Sequence, residues 1–157
     1  MELHGSSILK KECKMKLIAS LLLATSLLTV STVEARDDIG KYPIQSLLES
    51  SKAKSALLDV PLYFADQSYG SKSSKYGEVI TNKKTNAFNK SDREACEWVM
   101  LSALKALQER AIKEGMNAVV NIQSYYKKRK FVSSTEYECG AGTIIAGVAL
   151  KGTLVKL

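Results

Sequence analysis

Two of the three cysteines in this sequence, the ones outside the amino-terminal region, have chemistry that could define a function. Cys96 and Cys139 stand far apart and form no Cys-x-x-Cys motif. In an oxidising compartment such an even pair is most simply a disulfide. We therefore predict a structural Cys96–Cys139 bridge, which closes a loop of about 44 residues and contributes about 4 kcal/mol to stability. A thiol-redox function is the alternative, because the first turn of a helix lowers the pKa of a thiol.

Three kinds of chemistry lack residues that they require: serine or cysteine hydrolysis, zinc binding and nucleotide binding. The one histidine, His4, lies in the predicted leader described below, so the remaining chain offers a serine or cysteine hydrolase no imidazole base and a zinc site too few ligands. Gly142 and Gly147 have the glycine spacing of a P-loop, but Val148 and Ala149 occupy its Lys and Ser/Thr positions. We therefore expect no catalytic residue, no metal, no nucleotide and no other cofactor.

Two groups of side chains are candidates for a partner surface. The first is a basic turn with two adjacent tyrosines, which suits an anionic headgroup or glycan: Tyr125, Tyr126, Lys127, Lys128, Arg129 and Lys130. The second is Trp98 with Leu101, apolar residues that helical periodicity places among charged ones. The competing interpretations are a soluble turn for the first group, and packing against a helix predicted near residues 44–54 for the second.

The amino-terminal region has the pattern of a secretory leader. Lysines precede an uncharged run over 17–33 that is rich in Leu, Ala, Ile and Val, and the run closes on Val-Glu-Ala. A basic start, a short apolar run and a small-x-small exit are typical of a cleaved signal peptide. We predict a signal peptide over 1–35 with cleavage after Ala35. Its signal pattern lies in 15–35, and residues 1–14 are either an over-long start or an extension of the basic region before the apolar run. A retained anchor is the weaker alternative, because a spanning helix needs about 20 apolar residues.

Cleavage after Ala35 would change both the chemistry and the charge of the protein. It removes His4 and Cys13, together with four of the 23 basic and three of the 16 acidic residues, so residues 36–157 keep a positive surplus of six. A basic exported domain fits anionic surfaces such as lipid headgroups, glycans or acidic proteins. We expect a periplasmic or secreted protein with no membrane span after cleavage. Its expected partner is an envelope protein or an anionic envelope surface, not nucleic acid.

The pattern of elements over residues 36–157 predicts one α+β domain. A capping box at 91–94 begins a long helix that ends at Gly115, and a short helix near 44–54 precedes it. The polar stretch 82–90 is predicted as a loop. Strands are predicted over 60–64, 76–81, 117–126, 131–139 and 143–150, and residues 153–155 end the chain. The expected fold is one long helix packed on a mainly antiparallel sheet, with a hairpin around the basic turn and a short amino-terminal helix.

The carboxyl-terminal part of the chain carries motifs of a known group of proteins. They are Glu-Gly-Met-Asn-Ala-Val-Val at 114–120, Glu-Cys-Gly-Ala-Gly at 138–142 and Gly-Val-Ala-Leu-Lys-Gly at 147–152. This pattern resembles the small exported bacterial proteins labelled excinuclease ATPase subunits, and the similarity extends over 36–157. More distantly, the first motif is similar to the Rcs envelope-stress sensor lipoprotein and to YbjQ-like domains, which implies one long helix on an antiparallel sheet. The lipid anchor of the sensor does not carry over, because this sequence has no lipidation cysteine.

These observations favour a non-enzymatic, exported binding or interaction domain of the bacterial envelope. A thiol-redox protein is one alternative. The other is an enzyme of unrecognised type based on clustered carboxylates, although Glu136 and Glu138 are expected to be solvated on an outward strand face. The departures from the P-loop pattern exclude an excinuclease ATPase.

Overall fold

A sheet and one long helix dominate the part of the chain that the structure describes. The computed structural model describes Arg36 and residues 38–157. The predicted signal peptide over 1–35 and its cleavage after Ala35 lie outside the described residues, so each of them stays a prediction. Within the described residues, no helix is long and apolar enough to cross a membrane.

The described residues form three helices and six strands, so the fold is mixed α and β as predicted. In chain order they are β1 (Asp38–Pro43), α1 (Ile44–Leu48), α2 (Ser51–Ala56), β2 (Leu62–Phe64), β3 (Ser74–Asn86), α3 (Asp92–Lys113), β4 (Ala118–Ser124), β5 (Glu136–Ala141) and β6 (Ile145–Lys156). A short 3-10 turn at Tyr126–Lys128 follows β4. The predicted short amino-terminal helix is thus two short helices, and β1 has no counterpart in the prediction.

The long helix α3 begins and ends where its sequence signals place it. The Ser91 side chain accepts a hydrogen bond of 3.2 Å from the N–H of Glu94, which satisfies a free donor of the first turn. Gly115 follows the helix with a φ of +70°, a left-handed conformation that glycine adopts without strain. One face of α3 packs on the sheet, where Val99 and Leu104 are fully buried.

The sheet is built around β6. β3 pairs with one edge of β6 along its whole length, whereas β4 and β5 share the other edge. β1 extends the sheet beyond β5, and β2 extends it beyond β4. Every pair is antiparallel except that of β2 with β4. A helix on a mainly antiparallel sheet is therefore observed in outline.

β3 and β6 are both longer than the sequence predicts. The loop predicted over 82–90 is wrong at its start, because β3 continues to Asn86. The strand predicted over 143–150 continues through Gly152 to Lys156, and a Cβ atom on Gly152 would lie 2.9 Å from Val119 Cγ1. The buried backbone groups of β6 need hydrogen-bond partners along both edges. This tertiary requirement extends both strands beyond their local sequence signals.

The predicted hairpin of two long strands around the basic turn is wrong. A single bridge between Ser124 and Phe131 joins β4 to the chain after the turn, and β5 pairs with β1 and β6 instead. The backbone of Lys127 and Lys128 is left-handed, with φ of 51° and 62°. The chain therefore leaves the ladder at the turn instead of folding straight back.

The core lies between α3 and the sheet, and the predicted disulfide crosses it. Cys96 of α3 is bonded to Cys139 of β5, and neither cysteine has exposed surface. Large side chains such as Tyr137, Leu104 and Leu150 are buried in the same cluster. The predicted pairing is confirmed, and the bridge ties the amino-terminal part of α3 to the sheet.

Removal of the disulfide should destabilise the fold. Opening a loop of about 44 residues makes the unfolded state more favourable by about 4 kcal/mol in the chain-entropy model. We expect the Cys96→Ala/Cys139→Ala variant to lose free energy of unfolding of this order, measured by urea denaturation with circular dichroism. Reduced wild-type protein is the control for the missing sulfur atoms and should lose a similar amount. An unchanged urea midpoint in both samples would contradict a structural role for the bridge.

Candidate functional site

A cleft of 620 Å³ lies on the face of the sheet opposite α3. Along β6, Val148 and Leu150 belong to the core beneath the helix, so the alternate residue Gly147 faces the other side. Gly140 of β5 and Lys84 of β3 are both paired with Gly147. Paired residues share a face of the sheet, so these three residues line the cleft together.

Three glycines in the cleft allow other groups of the protein to pack closely against the backbone. Gly140 and Gly147 lie opposite each other in the ladder between β5 and β6. A Cβ atom on Gly140 would lie 2.0 Å from Tyr126 Oη, and one on Gly147 would lie 3.6 Å from Tyr126 Cε2. The ring of Tyr126 therefore occupies space that side chains would otherwise fill. A Cβ atom on Gly142 would lie 2.7 Å from the carbonyl oxygen of Arg36, so this glycine permits the close approach of the backbone.

The basic turn contributes two of its six predicted residues to the cleft. Tyr126 and Lys127 line it, and Lys127 Nζ lies 5.9 Å from the centre of the Tyr126 ring. Lys128 and Lys130 are exposed on the turn but do not line the cleft. The turn is thus divided between a part that faces the cleft and a part that faces solvent.

The other two residues of the turn contact their own neighbours. The centre of the Tyr125 ring lies 5.2 Å from Lys151 Nζ, and the Arg129 guanidinium lies 3.4 Å from Glu138 Oε1. Glu138 is 5% exposed, so the prediction of a solvated Glu138 is wrong, because β5 lies between β1 and β6. Its Oε2 has no hydrogen-bond partner within the described part of the chain. In that same part, no group of three or more His, Cys, Asp or Glu side chains is arranged to hold a metal ion.

Three cationic side chains surround the cleft, namely Arg36, Lys84 and Lys127. Arg36 donates a hydrogen bond of 2.7 Å to Asp38 and another to Asp92. The bond to Asp38 and the charge of Asp92 raise the pKa of Arg36. Among the described residues, Lys84 forms no ion pair and no acidic side chain lines the cleft. The described residues that line the cleft therefore carry positive charges and no negative ones.

One side of the cleft mouth is apolar. Ile144 and Ile145 stand at the turn between β5 and β6 and are 63% and 53% exposed. Their position beside the cationic side chains makes the cleft amphipathic. Such an arrangement suits a ligand that carries both an anionic group and an apolar part.

The second predicted surface is only partly exposed. Trp98 is 41% exposed and lies beside α2, with Lys52 Nζ 5.5 Å from the centre of its ring. Lys52 also forms a 2.9 Å ion pair with Glu97. Leu101 is 1% exposed and belongs to the same core cluster as Ile44 of α1. The assignment of Leu101 to an exposed surface is therefore wrong, because the amino-terminal helices enlarge the core on that side of α3.

Most residues of the cleft have no signal in the sequence that predicts their position there. Lys84 and Ile145 come close only because β3 pairs with β6, and that pairing has no local signature in the sequence. The available signal was the glycine spacing itself. Glycines inside an apolar strand mark the close approach of another group, and here that group is the ring of Tyr126.

Comparison of the chain with protein-family models, with curated proteins and with solved structures gave no match. The resemblance to the small exported proteins, to the Rcs sensor and to the YbjQ-like domains therefore stays a prediction. Function must be inferred from the cleft itself.

A side chain at residue 140 should disturb the floor of the cleft. In Gly140→Ala the new Cβ atom would lie 2.0 Å from Tyr126 Oη, so the ring must swing away. We expect a loss of about 1 kcal/mol in the free energy of unfolding, measured by urea denaturation, and a changed near-ultraviolet circular dichroism spectrum. Gly70→Ala is the control, because nothing lies within 4 Å of its Cβ atom. If the two variants matched the wild type equally well, Tyr126 would not rest on the glycine floor.

Proposed function

We propose that this chain is an exported, non-enzymatic binding domain that holds an anionic group of its ligand in the cleft. The observation that carries the proposal is the lining of the cleft. Arg36, Lys84 and Lys127 surround a glycine floor, and no acidic side chain of the described residues accompanies them there. A cleft lined by one sign of charge attracts ligands of the opposite sign.

Lys84 is the side chain best placed to bind the anion. It stands on the cleft face of β3, opposite Gly147, and within the described residues it forms no ion pair. Arg36 is engaged with Asp38 and Asp92, so its contribution to the field is partly balanced.

Binding is a better account of the cleft than catalysis. Its lining includes hydroxyl, amide and amine groups, but neither a carboxylate nor a thiol of the described residues. The two cysteines are bonded to each other and fully buried, which favours a structural bridge over thiol exchange, since exchange needs an accessible sulfur. The alternatives of a thiol-redox protein and of an enzyme of unrecognised type are therefore less well supported.

Export to the periplasm or beyond is part of the proposal. The predicted leader over 1–35 supports it, and so does the buried disulfide, because such bridges persist in oxidising compartments. An anionic surface or an envelope protein is then the available partner. Nucleic acid and nucleotides are not expected partners in that compartment.

Mass spectrometry of the native protein tests export and the state of the thiols together. After alkylation under native conditions, we expect a chain that begins at Arg36, carries no alkyl group and lacks the two thiol hydrogens of Cys96 and Cys139. Alkylation after reduction and denaturation is the control and should label both cysteines. A full-length chain from the cytosol with both cysteines labelled under native conditions would overturn the proposal of export.

Titration with inorganic pyrophosphate tests the cleft. We expect the amide resonances of Gly140, Gly142 and Gly147 to shift in ¹⁵N-resolved spectra, because these residues line the cleft. Lys84→Ala should weaken binding about tenfold, since a charge-assisted hydrogen bond contributes about 1.5 kcal/mol.

Lys83→Ala is the matched control for this titration. Lys83 is exposed and adjacent to Lys84, but it pairs with Val148 and so points to the other face of the sheet. The control variant should bind pyrophosphate as the wild type does. Equal weakening by both substitutions, or shifts spread over all lysine-rich surfaces, would show that the cleft is not an anion site.

A further inference from the structure

An exposed apolar tip stands next to the cleft. We define the tip as Phe88, Ile144 and Ile145, which are 59%, 63% and 53% exposed. Phe88 is in the loop between β3 and α3, and the two isoleucines are at the turn between β5 and β6. A hydrogen bond of 2.7 Å from the N–H of Ala87 to the carbonyl of Ile144 joins the two loops. Three large apolar side chains of adjacent loops are therefore presented to solvent together.

Basic side chains flank the apolar tip. Lys83 and Lys84 stand near the end of β3, and Lys90 lies in the loop that follows. All three are exposed, and none forms an ion pair within the described residues. The acidic residues that follow in the chain are Asp92, whose carboxylate accepts a hydrogen bond from Arg36, and Glu94, also in the first turn of α3. The tip thus combines exposed apolar surface with a surplus of positive charge.

A soluble anion would use only half of this arrangement. A free phosphate or a glycan could be held among the cations of the cleft, but Ile144 and Ile145 would stay in water. An anionic lipid uses both parts, because its phosphate lies at the level of the lysines while its acyl region meets apolar side chains. The combination of charge and apolar surface at one end of the sheet therefore favours a membrane surface.

We infer that the anionic group held in the cleft is a lipid headgroup and that the apolar tip enters the surface of an anionic bilayer. This inference rests on the proposed function and names the class of its ligand. Phe88, Ile144 and Ile145 lie among the lipids, and Lys84 is held at the level of the phosphates. The part of the protein that faces the bilayer is the end of the sheet where β3 ends and β6 begins.

Cosedimentation with vesicles tests the inference on protein purified with its disulfide intact. We expect binding to vesicles of phosphatidylcholine that contain phosphatidylglycerol. Vesicles of phosphatidylcholine alone should bind about a hundredfold more weakly, since each of three lysines near an anionic surface contributes a factor of about five. Equal binding to both kinds of vesicle would overturn the role of the anionic headgroup.

Substitutions in the tip separate insertion from simple attraction of charges. Ile144→Ser/Ile145→Ser keeps every charge and should weaken binding to the anionic vesicles about tenfold or more, because two half-exposed apolar side chains no longer leave water. The matched control is Ile80→Ser/Ile112→Ser, two isoleucines that are 57% and 56% exposed away from the tip. This control should bind as the wild type does.

Pyrophosphate titration of Phe88→Ser, a substitution in the tip at a residue that does not line the cleft, keeps the two proposals distinguishable. The shifts at Gly140, Gly142 and Gly147 should persist, because the cations of the cleft are unchanged. Two results would overturn the membrane inference. In the first, pyrophosphate causes these shifts in the wild type but the wild type binds no vesicles. In the second, the two double variants bind vesicles equally, and in either case the cleft serves a soluble anion or an acidic protein. If vesicles are bound through the tip but pyrophosphate causes no local shifts, the proposed anion site fails, and with it the inference that the headgroup lies in the cleft.

Discussion

The backbone of β6 is buried along most of its length, and each of its peptide groups must find a hydrogen-bond partner inside the sheet. β3 supplies these partners along one edge, and β4 and β5 supply them along the other. The positions of β1, β2 and α3 follow from this arrangement of strands. β1 and β2 complete the outer edges of β5 and β4, and α3 covers the face where Val148, Leu150 and Leu154 are buried.

The two faces of β6 carry different side chains because successive residues of a strand point to opposite faces of the sheet. Apolar side chains on one face form the core with α3, and the disulfide joins this helix to β5 within that layer. On the other face, Gly147 pairs with Gly140, and the ring of Tyr126 lies over the two glycines. The same strand thus builds a close-packed core on one side and an open, glycine-floored cleft on the other.

The position of the cleft at the end of the sheet gives the proposed function its physical basis. Strand pairing brings Lys84 beside Gly147, and the turn after β4 brings Lys127 to the same place. The short connection into β6 leaves Ile144 and Ile145 exposed at its mouth. The order of the strands therefore places cations and apolar side chains next to each other. The cysteines, by contrast, stabilise the fold.

The sequence by itself determined the elements whose signals are local. The bounds of α3 follow from Ser91, Glu94 and Gly115, and the pairing of Cys96 with Cys139 follows from the scarcity of other thiols. Only the tertiary structure decided the lengths of β3 and β6, the loss of the hairpin, the burial of Leu101 and the assembly of the cleft. Each of these depends on contacts between residues distant in the chain, and the free energy of such contacts has no signature in a local pattern of residue types.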